Sequence, residues 1–155
     1  MKNIVKLFTV LLVITFNLNA QDYIYGGLQG TSWGVGLSAK KDITREITAQ
    51  GIITFGGILN QYSVRGLYKF QQKKDYNLYG YGSLGLWSWG GLGSLSSENT
   101  VAFGAGAGLE YDLRKFLGQD LPLFWNIELG VAFASFSNYT VSSPLLISGG
   151  LHYRF

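Results

Sequence analysis

Residues 101–113 read VAFGAGAGLEYDL. The odd positions are Val101, Phe103, Ala105, Ala107, Leu109, Tyr111 and Leu113; the even ones are Ala102, Gly104, Gly106, Gly108, Glu110 and Asp112. Successive side chains of a β-strand point to opposite faces, so the stretch predicts a strand with one apolar face and one small or charged face. Its period of two does not fit an amphipathic helix, whose apolar residues recur at three and four. The run is also long enough to cross a bilayer, which takes ~9–11 residues of tilted strand.

The same alternation recurs on both sides of it. In 123–135, Leu123, Trp125, Ile127, Leu129, Val131 and Phe133 oppose Phe124, Asn126, Glu128, Gly130, Ala132 and Ala134. In 145–155, Leu145, Ile147, Leu151, Tyr153 and Phe155 oppose Leu146, Ser148, Gly150, His152 and Arg154. Residues 61–71, 45–56 and 32–40 follow suit, with Arg65, Leu67, Lys69, Gln50 and Lys40 on the non-lipid parity. Two segments are less regular. In 76–89, YNLYGYGSLGLWSW, Tyr79 and Tyr81 share one parity while Leu84 and Leu86 share the other, which a β-bulge near Gly82 would reconcile. Residues 23–29 either form a strand of their own or extend 32–40. Single-chain bacterial barrels have even strand numbers, which favours eight.

Polar connections at 41–44, 72–75 and 114–122 alternate with connections at 30–31, 57–60, 90–99 and 138–143. With an even count both chain ends lie on one side, read as periplasmic. Pro122 and Pro144 fall at expected strand starts, where no ladder N–H is lost.

Composition agrees with a membrane barrel. Glycine is 22 of 155 residues and aromatics 15%, while charged residues are only 14%, against about 25% in a soluble domain. The first twenty residues stand apart: Lys2 and Lys6 precede the apolar run 7–16, and cleavage is expected after Ala20. That is the layout of a secretory signal peptide, with 21–155 as the mature barrel domain. The run is shorter than the roughly 20 residues of a spanning helix. Without Lys2 and Lys6, ten Lys and Arg stand against nine Asp and Glu, a formal charge of +1. There is no basic stripe for nucleic acid. The chain has no cysteine, which excludes a disulfide framework and thiol metal sites. No cofactor or metal is expected. A soluble lipocalin-like barrel is the competing fold, but it would have to turn the glycine-rich face to water and pack Phe, Leu and Tyr inside.

A signal peptide, eight alternating strands in 21–155 and the closing LHYRF resemble the small outer-membrane β-barrel proteins of Gram-negative bacteria. The resemblance implies an all-β, eight-stranded antiparallel up-and-down transmembrane barrel in the outer membrane. It also implies that the last strand, with Leu151, Tyr153 and Phe155, is the signal read by the barrel-assembly machinery. Outer-membrane lipid is the other expected partner, and a monomer the expected state. Members of that family include adhesins, lipid-modifying enzymes and proteins of unknown role, so fold does not fix function.

His152 is the only histidine. Ser148 shares its face but stands four residues away, roughly 13 Å along a strand. Lipid A deacylases, which resemble this chain in size, use a His and Ser two residues apart; here Gly150 and Arg154 flank His152 at that spacing. The enzyme reading therefore ranks third. The charged residues on the inner parity point instead to a lumen ion network of Arg65, Lys69, Glu110, Asp112, Asn126, Glu128, His152 and Arg154. A last hairpin centred near Thr140 would set Glu128 opposite His152 and Asn126 opposite Arg154. Such a network would plug the barrel, since an eight-stranded interior is just wide enough for its side chains. At the outer end Gly34, Gly36, Gly104, Gly106, Gly130, Ala132 and Ala134 leave room. Either Trp87 and Trp89 fill it, or they form an interfacial girdle and a pocket opens outward. The expected role is structural or in surface interaction; the alternative is binding of a small apolar ligand by the outer lumen and loop 90–99.

Overall fold

The computed structural model describes residues 23–55, 59–89, 98–118, 120–136 and 140–155; side chains 89, 115, 141 and 144 and the expected signal peptide lie outside the described set. The strands are β1 (Ile24–Thr31), β2 (Gly34–Asp42), β3 (Ile47–Phe55), β4 (Leu59–Gln72), β5 (Tyr76–Trp89), β6 (Glu98–Asp112), β7 (Leu123–Ser135) and β8 (Thr140–Arg154). Each pairs antiparallel with the next, and β8 pairs with β1 to close the barrel. Residues 23–29 thus belong to a strand of their own. Closure leaves no strand edge unpaired.

Burial follows the alternation. Along β3, Thr48, Gln50, Ile52 and Thr54 are buried while Ile47, Ile53 and Phe55 are exposed. Along β7, Phe124, Asn126 and Glu128 are buried and Trp125, Ile127 and Leu129 exposed. The interior is the polar side and the exterior the apolar one.

Three expectations change. The bulge near Gly82 does not exist: β5 pairs with β6 in unbroken register from Tyr76 to Trp89. Tyr79, Tyr81 and Trp87 are all buried, and Gly82 and Leu84 face outward. The inner parity carries the tyrosines because the glycines of β6 and β7 opposite them leave space. The register shift lies instead in β4, between Lys69 and Gln71.

The second change concerns the last hairpin. It closes at Ser135 and Thr140, so β8 begins earlier than residue 145 and the turn sits before Thr140. Gly130 pairs with Leu146 and Ala132 with Ser143, which sets Val131 opposite both Pro144 and Leu145. Pro144 is therefore inside the strand at a bulge, where its missing N–H costs no ladder bond. In this register Glu128 faces Ser148, Asn126 faces Gly150 and His152 faces Phe124. The expected Glu128–His152 and Asn126–Arg154 pairs are not formed.

The third change is local. The connection between β6 and β7 is not simply polar. It contains one helical turn, α1 (Arg114–Leu117), ended by Gly118 in the left-handed region at φ 61°, a conformation suited to glycine. Phe116 is 81% exposed, and Leu117 and Leu121 are exposed beside it. The other turns at this end, 43–46 and 73–75, carry mostly charged and polar residues.

Candidate functional site in the barrel interior

The interior is built in tiers between the end that carries residues 23 and 155, here the terminal end, and the opposite loop end. Its centre is Glu128 on β7, 1% exposed. Oε1 accepts from the Tyr79 hydroxyl at 2.6 Å and from Asn126 Nδ2 at 3.0 Å. Oε2 accepts from Arg65 at 2.7 Å, the Ser148 hydroxyl at 2.6 Å and Gln29 Nε2 at 3.3 Å. A carboxylate offers about four lone-pair directions, so these donors saturate it. They come from β1, β4, β5, β7 and β8, and the carboxylate ties strands on opposite walls together.

Toward the terminal end Lys40 pairs with Glu110 at 2.9 Å, both buried. Below them Lys69 pairs with Asp42 at 2.7 Å. Asp42 also accepts from Tyr25 at 3.0 Å and from Thr48 at 2.5 Å. Each buried cation thus has a carboxylate, the arrangement that burial of charge demands. At the terminal mouth Tyr25 meets Phe124 edge to face with centroids 5.4 Å apart. Arg154 lies over Tyr23 and Phe124, 4.6 and 5.2 Å from the ring centroids.

Of the residues singled out in sequence, the structure brings Arg65, Asn126 and Glu128 into one cluster and gives Glu110 and Lys69 partners of their own. Asp112 is held by Arg114 on α1. Arg154 stacks on rings rather than on Asn126. His152 is fully buried, and its Nε2 lies 2.9 Å from Ser38 Oγ. Ser38 and His152 sit on β2 and β8 with Gly27 of β1 between them, paired to both. A Cβ on Gly27 would collide with the Leu151 carbonyl and stand 2.7 Å from the His152 Cα, so the glycine is what lets the seam close there.

Sequence reasoning missed Tyr79, Lys40, Asp42, Gln29 and Ser38. Lys40 was already on the inner parity. The others needed either the phase of β5 or the approach of non-adjacent strands across the lumen.

Above Glu128 the lining becomes apolar. Tyr79 and Tyr81 lie over the glycines: a Cβ on Gly108 would stand 2.6 Å from Tyr79 Cζ, and one on Gly106 2.7 Å from Tyr81 Cζ. The Arg65 guanidinium sits 4.7 Å from the Tyr81 ring centroid. At the loop end Leu59, Trp87, Ala102, Ala134, Phe136 and Leu146 are buried in one cluster, with Trp33 packed against it. Trp87 fills this space; the Trp89 side chain and residues 90–97 lie outside the described set. A cavity of about 20 Å³, lined by Gln61, Arg65 and Trp87 among others, separates the tiers, room for a single water.

The Ser38–His152 contact has the reach of a nucleophile and base. Its surroundings do not serve one: His152 Nδ1 has no hydrogen-bond partner among the described residues, so nothing orients the ring as a base. Among the described residues no group of His, Asp and Glu is arranged to hold a metal.

The sequence matches no protein family and no curated protein. Among solved structures, the fold is similar to the N-terminal β-barrel domain of Pseudomonas aeruginosa OprF, with a TM-score of 0.58 at 13% identity over 86% of this chain and 96% of that one. It is also similar to Ail, the attachment invasion locus protein of Yersinia pestis. The crystal structure of Ail gives a TM-score of 0.41 at 15% identity over 86% of this chain and 97% of that one. The backbone structure of outer membrane protein Ail in a phospholipid bilayer nanodisc gives 0.48 at 16% identity, over 86% and 98%. At such identities the likeness is one of fold.

Proposed function

We propose that the chain is an integral outer-membrane β-barrel protein with a sealed lumen and a non-enzymatic role, structural or in contacts at the cell surface. The observation that carries this reading is its inverted polarity. Leu28, Val35, Leu37, Phe55, Phe70, Phe103, Leu129, Phe133 and Leu145 are all at least half exposed around the wall, while the buried ions and amides all lie inside. Water would not stabilise such an exterior, whereas lipid would, and a closed barrel satisfies every backbone group within it. The expected signal peptide over 1–20 fits export. The strands of the closed barrel, apolar on the outside, are the spanning elements. The terminal end, which carries both residues 23 and 155, is assigned to the periplasm.

The sealed reading rests on the paired ions around Glu128 and the aromatic cluster around Trp87. The same packing weakens the ligand-binding alternative, because Trp87 and Leu59 occupy the outer lumen that a ligand would need. Saturation of Glu128 and the unoriented His152 weigh against an enzyme. Lipid and, by resemblance, the barrel-assembly machinery are the proposed partners, with Leu151, Tyr153 and Phe155 as the assembly signal, and the protein acts as a monomer.

The test is heat-modifiable migration on a gel after detergent extraction of outer membranes. A folded band that shifts on boiling is expected. A single unshifted band, or recovery in the soluble periplasmic fraction, would overturn the membrane reading.

A further inference from the structure

We infer that the β6–β7 connection is a lipid-seated foot: α1 and the following segment lay Phe116 and Leu121 into the headgroup region of the inner leaflet. The inference rests on the membrane reading above and adds a contact surface beyond the strands. Arg114 fixes its orientation. Nε of Arg114 bonds both carboxylate oxygens of Asp112, at 3.0 and 2.9 Å. Asp112 lies on the inner parity of β6, so Arg114 is drawn over the barrel mouth. Phe116 is two helical residues further on, about 200° around the axis, and is therefore directed away from the mouth, over the rim toward the outer wall.

That wall already carries an apolar belt at the same place. Trp125 is exposed and pairs with Tyr111, and Leu113 N–H donates to the Leu123 carbonyl where the foot leaves and rejoins the sheet. Two residues of a strand tilted about 40° descend about 5 Å. Headgroups occupy about 5–7 Å on each side of the hydrocarbon. A foot that starts at Leu113, below a Tyr111–Trp125 interfacial level, thus lies inside that layer and not beyond it. The turns at 43–46 and 73–75 have no exposed aromatic, so the surface is specific to this connection.

The chain has no cysteine, so single nitroxide labels can be placed cleanly in protein reconstituted into phosphatidylcholine–phosphatidylglycerol vesicles. Leu121→Cys reports the foot with Phe116 intact, Leu129→Cys the belt and Lys74→Cys the neighbouring turn. Oxygen and a water-soluble nickel complex are compared as relaxants, with heat-modifiable migration as the check that each variant folds. The expected oxygen-to-nickel accessibility ratio at 121 lies between those at 129 and 74 and is several-fold above that at 74. Adding Phe116→Asp should bring it down to the value at 74 while 129 is unchanged. A ratio at 121 equal to that at 74, with 129 still in hydrocarbon, overturns the foot and leaves the membrane reading standing. An aqueous ratio at 129 as well overturns both.

Discussion

Glu128 is the residue on which most of the interior converges. Its oxygens accept from Gln29, Arg65, Tyr79, Asn126 and Ser148. Removing one partner of a buried ion pair leaves the other charged and desolvated, which costs about 3–5 kcal/mol. Glu128→Ala is therefore expected to lower stability by about that amount, read from urea unfolding of the folded band in detergent micelles. Replacing both partners, Arg65→Met with Glu128→Leu, should recover only the part owed to the unpaired Arg65 charge, because Gln29, Tyr79, Asn126 and Ser148 stay without their acceptor. If the single substitution costs less than about 1 kcal/mol, the carboxylate is hydrated rather than held by its five donors.

Strand phase and register decided how much could be read from sequence. Most of the strands and their inner faces were legible because alternation survives in almost every segment, and burial along β3 and β7 repeats it. Strand β5 was ambiguous because both parities are large. Tyr79 and Tyr81 point inward only because Gly106 and Gly108 are opposite, which is a property of β6. The β7–β8 register was lost at the turn, which was expected near Thr140, whereas Ser135 already pairs with Thr140. That earlier turn moves Glu128 from His152 toward the start of β8, and the one-residue bulge at Pro144, which reads as a strand start, brings it to Ser148. Partners such as Lys40–Glu110 and Ser38–His152 belong to strands that are not neighbours, and no local pattern reports contact across a lumen. The same distinction separates two kinds of glycine. Gly82 faces outward with nothing within 4 Å of an added Cβ, whereas one on Gly27 meets the Leu151 carbonyl and the His152 Cα at the β1–β8 seam. Gly82→Ala should leave stability within about 0.5 kcal/mol. Gly27→Ala should abolish or sharply reduce the heat-modifiable folded band, since the obstruction is backbone and cannot rotate away. Equal yields of folded protein from the two variants would show that the seam is looser than its geometry.

At the scale of the whole barrel, two barriers of different chemistry stand in series. The apolar tier around Trp87 lies at the loop end, and the ion pairs of Arg65, Lys40 and Lys69 lie between it and the terminal mouth. An aqueous path would have to breach both. Removing the indole of Trp87 leaves a cavity next to Leu59, Ala134 and Leu146, and truncating a buried Trp costs about 3–5 kcal/mol. It does not disturb Glu128 or its donors. Trp87→Ala is thus expected to unfold at lower urea concentration yet, like the native protein, to pass no resolvable single-channel current in a planar bilayer. Current through the native barrel would disprove the seal outright. Current through Trp87→Ala alone would place the whole barrier in the apolar tier and reduce the ion pairs to wall-to-wall struts. Silence in both, with lowered stability in the variant, is the outcome that two barriers in series require.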